Sequence, residues 1–138
     1  MAALATLHGS PVLLILTLAG DALCFAFALF GDLTGRHRLP QLFWWILWLA
    51  QIPLAVQGAA GLALLGFGAR PRTPYHFMYD GFIVLTLLAL YLLRPGGALR
   101  AAIAPDGRGY RESRWVMLLV LFLGGLVGRA YMTGSLGR

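Results

Sequence analysis

The chain has 138 residues, of which 59% are hydrophobic and 12% charged, and its mean hydropathy is +0.77. A soluble domain carries about twice that share of charge, and a single small core could not hide so much apolar surface. This excludes a soluble enzyme or a nucleic-acid binder and points to an all-α integral membrane protein, with the lipid bilayer as its first partner. The formal net charge is +6 and every basic residue is Arg. We read that excess as an orientation signal in the loops.

Four apolar stretches predict four transmembrane helices in one transmembrane domain, a four-helix bundle. They cover about 11–30, 41–66, 75–93 and 115–132. Each is near the ~20 residues that span a bilayer core. They lack the two-residue alternation of strands, and lipid forces backbone polar groups to bond within their own segment. The first stretch has no Arg or Lys before it and no clear cleavage site after it, so it reads as a retained helix. The run from Ala2 to Leu7 could extend that helix toward the N-terminus.

The first connection, 31–40, is polar and carries Asp32, Arg36, His37 and Arg38. His37 reads as a solvated loop residue. The second, 66–74, is rich in Gly and Pro, with Thr73 as an expected N-cap and Pro74 at the first helical position. The third, 94–114, is the longest and the richest in Arg.

Orientation follows from the Arg distribution. Arg36, Arg38, Arg94, Arg100, Arg108, Arg111 and Arg114 share one face. Arg70, Arg72, Arg129 and Arg138 share the other. The richer face is expected in the cytoplasm, placing both termini outside it in a bacterial inner membrane. Trp44, Trp45, Trp48 and Trp115 then serve as anchors on the inner side, with Tyr75, Tyr79 and Tyr131 on the outer side.

Small residues predict close helix packing: Gly20, Cys24 and Ala28 in the first span, Gly58 and Gly61 in the second, Gly124 and Gly128 in the fourth. Cys24 is the only cysteine and reads as packing. No phosphate loop, nucleophilic triad or metal motif is visible, so the reading leans away from an enzyme.

Intramembrane polar residues are the candidate sites. Asp21 lies mid-span, where a charge costs roughly 2.5–3.5 kcal/mol on insertion scales. It needs a partner, and Thr17, one turn earlier, is the expected one. Gln51 and Gln57 are six residues apart and face different ways, so at least one faces another helix or a bound polar group.

His8 and His76 lie at the same end of different helices. That is what a six-coordinate haem b needs, with iron taking one imidazole from each side. Asp80, four residues after His76, is positioned to orient its ring, and Arg70, Arg72 and Arg129 lie at a depth to meet propionates.

The stretch Gln57-Gly58-Ala59-Ala60-Gly61-Leu62, a short turn, and Tyr75-His76-Phe77-Met78 together resemble one four-helix half of haem A synthase, over about residues 8–92. The resemblance implies a haem-bearing bundle with His8 and His76 as ligands. It does not carry synthase activity, because a second haem site is lacking and Gly9 stands where the family has Arg after its ligand His.

Three functions are expected. The first is an accessory or assembly subunit of a membrane redox or respiratory complex, binding one haem b, with a larger membrane partner or a homo-oligomer. The second is a stand-alone haem b electron-transfer or haem-handling protein. The third is a small oligomeric transporter or channel using Asp21, for which no broken helix is evident.

Overall fold

The computed structural model describes residues 1–71, 73–104 and 109–135. Among them every regular element is helical: α1 Ala2–His8, α2 Pro11–Leu33, α3 Gln41–Ala50, α4 Ile52–Gly66, α5 Pro74–Leu93, α6 Ala98–Ile103 and α7 Glu112–Ser135. Four stretches are long and apolar enough to cross a membrane: Ala2–Leu33, Gln41–Gly66, Pro74–Leu93 and Glu112–Gly134. Their outer faces carry large apolar side chains such as Ile15, Leu23, Phe30, Leu62 and Leu85. A contiguous apolar exterior of this kind suits lipid rather than water.

The first span begins earlier than the apolar core suggests, and it bends. Ser10 is extended, its Oγ accepts from the Leu13 amide at 3.4 Å, and Pro11 opens α2. This is an ordinary helix start inside a span, so α1 is a separate helix of about two turns laid against α4. Pro74 likewise opens α5, but the Thr73 hydroxyl makes no cap bond.

The second span is not the continuous helix expected over 41–66. It breaks at Gln51, between α3 and α4. Pro53 has no amide hydrogen and its ring crowds the carbonyl four residues back. The chain answers with a tightened turn, in which the Gln51 amide bonds the Trp48 carbonyl at 3.2 Å. The fourth span begins at Glu112 rather than at Trp115, and the third connection contains the short helix α6.

Helix α7 is the centre of the bundle and packs along both α2 and α5, while α2 also meets α3 and α4. Cys24, Ala28, Trp44, Leu47, Leu90, Val120 and Leu123 are buried between them. Gly20 is required where α2 crosses α3, since a Cβ there would lie 2.6 Å from the Ala50 Cβ. Of the other expected small-residue contacts, Gly58 and Gly128 face open space. The second span makes no close backbone approach to α5. One flank of the bundle is therefore open.

The Arg-rich end is tied by a buried carboxylate. Glu112 is fully buried and accepts from Arg100 at 3.0 Å, from the Trp44 indole at 3.2 Å and from the Leu39 amide at 3.3 Å. Trp44 is thus a buried hydrogen-bond donor and not a surface anchor. Arg114 pairs with Asp32 at 3.0 Å. His37 is not simply solvated: its carbonyl accepts from the Ser113 amide at 3.2 Å, and its Nδ1 is buried.

Candidate functional site: an imidazole pair and a buried carboxyl–amide pair

At the other end, α1 and α5 bring His8 and His76 together with ring centroids 5.7 Å apart and planes at 89°. Each ring is seated in the same way. His8 lies on Gly61 of α4, where a Cβ would come within 2.8 Å of Cε1, and its Nδ1 donates to the Gln57 carbonyl at 2.9 Å. His76 lies on Gly134 of α7, where a Cβ would come within 3.2 Å of Cε1, and its Nδ1 donates to the Ala130 carbonyl at 3.1 Å. In both cases the acceptor is the carbonyl one helical turn before the glycine. A carbonyl can only accept, so a hydrogen sits on Nδ1, and whenever the ring is neutral the lone pair is on Nε2.

Asp80 takes a different place from the one expected. Its Oδ2 lies 3.6 Å from His76 Nε2, beyond hydrogen-bond length, and the ring is oriented by Ala130 instead. The carboxylate therefore faces the Nε2 side of the His76 ring, half exposed.

Gln57 has a structural explanation. Its Nε2 donates to the carbonyls of Ser10 at 3.0 Å and His8 at 3.3 Å, capping the bend between α1 and α2. Side chain and backbone of one residue thus hold both the end of α1 and the His8 ring.

The arginines do not converge on the pair. Arg70 is exposed and bonds the carbonyls of Leu65 and Ala69. Arg129 lines a shallow surface with Leu118, Phe122 and Leu126 on α7. Arg72 lies outside the described residues. Among those residues, no group of three or more His, Cys, Asp and Glu is placed to hold a metal ion.

A second polar centre lies mid-span. Asp21 is 3% exposed, and Gln51 donates from Nε2 to its Oδ1 at 2.8 Å. The expected partner, Thr17, instead bonds the Leu13 carbonyl of its own helix at 3.0 Å. Thr17 is β-branched and one turn from a free acceptor, so the intrahelical bond wins. Asp21 Oδ2 and Gln51 Oε1 are buried with no hydrogen-bond partner. Gly124 of α7 lies against this carboxyl: a Cβ there would stand 3.8 Å from Oδ2, in ordinary contact. Gln51 reaches Asp21 because the second span breaks at that residue. Pro53 is the sequence signal for the break, and Glu112, the lone acid opening an apolar run among arginines, is the signal for the tie at the far end.

Comparison with protein-family models, with curated proteins and with solved structures finds no match to the chain.

Proposed function

We propose that the chain is a small multi-pass protein of a bacterial inner membrane that holds one haem b between His8 and His76 and serves as an accessory or assembly subunit of a redox complex. The observation that carries this reading is the pair of seated imidazoles. Both have Nδ1 committed to a backbone carbonyl, which leaves two Nε2 lone pairs on different helices at one level. Two protein ligands suffice only where the remaining coordination comes from a macrocycle, as in haem. His8 and His76, with ring centroids 5.7 Å apart, would hold such a group through their Nε2 atoms.

Haem b, when bound, supplies one-electron transfer. The residues of this chain fix the imidazole tautomers, orient both rings and place the Asp80 carboxylate beside them. The Arg distribution supports reading this end as the one outside the cytoplasm. The expected result is a reduced-minus-oxidised α-band in protein purified from its native membrane, lost in His8→Ala and in His76→Ala, with larger membrane subunits co-purifying in mild detergent. A colourless preparation made with ample haem overturns the haem assignment. A chain that purifies alone overturns the subunit role.

A second reading draws on the break at Gln51. Discontinuous helices beside an intramembrane carboxyl are a feature of transport sites. An oligomer using Asp21 as a pathway predicts liposome flux that is abolished in Asp21→Asn, and unchanged flux removes this reading.

A further inference from the structure

The open flank has a feature at the Arg-rich end, far from the imidazoles. Between α3 and α5, a groove of about 380 Å³ is lined by Trp44, Trp45, Trp48, Tyr91 and Arg94. Its volume is in the range of ligand sites. Trp48 and Tyr91 bridge it with ring centroids 6.1 Å apart. The Arg94 guanidinium lies over the Tyr91 ring, its Cζ 3.6 Å from the centroid. Stacking of this kind holds the cation flat and leaves its N–H edge for another acceptor.

Among the described residues no carboxylate takes that edge. The two described acids at this end are engaged elsewhere, Glu112 with Arg100 and Asp32 with Arg114. Arg94 also directly follows Leu93, the last residue of the third span. A membrane crossed by that span therefore has its headgroups at the level of Arg94. Below the cation the wall is aromatic, and Trp45 is 67% exposed within it. A cation without an ion pair among the described residues, at headgroup level above an apolar wall, complements one kind of molecule.

We propose that this groove binds an anionic phospholipid, with its phosphate on the Arg94 guanidinium and its upper acyl chain along Trp45 and Trp48. Basic pockets between transmembrane helices recognise anionic headgroups in this way. The proposal rests on the membrane-spanning reading and is independent of haem.

Intrinsic fluorescence tests it. In a Trp115→Phe background the three remaining tryptophans, Trp44, Trp45 and Trp48, all line the groove. The protein is reconstituted in phosphatidylcholine vesicles, with flotation of the vesicles reporting insertion separately. Brominated phosphatidylglycerol or brominated phosphatidylcholine is then titrated in as quencher. The expected result is a relative affinity about fivefold in favour of the anionic lipid, the preference of one cation at a membrane surface. It falls to near unity in Arg94→Gln and stays in Arg36→Gln, an exposed loop cation. Tyr91→Leu, which removes the ring under the guanidinium, lowers it as well.

Equal quenching by both lipids overturns the proposal, as does an equal loss in Arg36→Gln. Relief of quenching by inorganic phosphate identifies a free-phosphate site, and quenching that rises on dilution in lipid identifies a second copy as the occupant; either result overturns it. Protein absent from floated vesicles overturns the membrane reading itself.

Discussion

Glu112 and Asp21 are both buried carboxyls in an apolar bundle, yet they are held in opposite ways. Glu112 has three donors from three segments, while Asp21 has one donor and an oxygen to spare. Removing the first leaves Arg100, the Trp44 indole and the Leu39 amide without their acceptor. Glu112→Ala is expected to cost about 3–5 kcal/mol, read as a large drop in the thermal midpoint in detergent. For Asp21, a donor in place of Oδ2 would keep the Gln51 Nε2 bond to Oδ1 while removing one buried acceptor without a partner. Asn supplies such a donor. Asp21→Asn is expected to stay within about 0.5 kcal/mol of the parent, whereas Asp21→Leu, which strands the Gln51 amide, costs about 1–2 kcal/mol. Equal losses in the two variants would remove this account. Tyr110, outside the spans, has a buried hydroxyl with no partner. Burial first, and the negative Glu112 second, push its phenol above the ordinary 10.0, against a smaller opposing pull from Arg100. Above pH 10 the unfolded chain therefore releases this proton before the folded one does. Folding stability then falls as pH rises through that region. Tyr110→Phe is expected to flatten the alkaline fall and to gain about 1 kcal/mol at neutral pH, measured by melting across pH.

At the scale of helices, the sequence was most readable where composition alone decides. Four spans follow from apolar length, because lipid leaves the backbone no alternative to a helix. The break in the second span was less legible. A proline in an apolar run marks a disturbance, but whether the chain kinks or separates depends on partners that composition does not reveal. Here the partner is Asp21, thirty residues earlier, which holds the freed Gln51 side chain. Glycines were legible as packing residues, yet not as seats for rings: Gly61 and Gly134 matter because an imidazole lies on each. Gly61→Ala is expected to cost about 1–3 kcal/mol by overpacking and to lift the His8 ring from its carbonyl. The loss of the His8 Nδ1–H···O=C bond is visible as a changed imidazole resonance by NMR. An unmoved ring would show that the seat is slack.

At the scale of the whole molecule, His8 and His76 were legible as a pair because both lie at the same ends of their spans. What the sequence did not convey is which groups surround them. Asp80 faces Nε2 and not Nδ1, and Arg70 and Arg129 point to other surroundings, since loop geometry and helix rotation decide those directions. The open flank was equally hidden. It results from α7 packing between α2 and α5, which leaves the second span against the two helices of the first span, α1 and α2.

The repeated seating of the two imidazoles has a consequence for how the molecule can be assembled. Each hairpin carries its own histidine and its own glycine seat: His8 and Gly61 in one, His76 and Gly134 in the other. Neither half borrows from its counterpart to hold its ring, and the halves meet mainly along α2 and α7. A chain cut within 67–71 is therefore expected to work by complementation. Two co-expressed fragments should find one another in the bilayer and be recovered as one complex by a tag on either. Gly20→Leu, which disturbs only the seam within the first half, should leave that recovery intact, whereas a bulky residue at Gly124, beside Asp21 on the seam between halves, should abolish it.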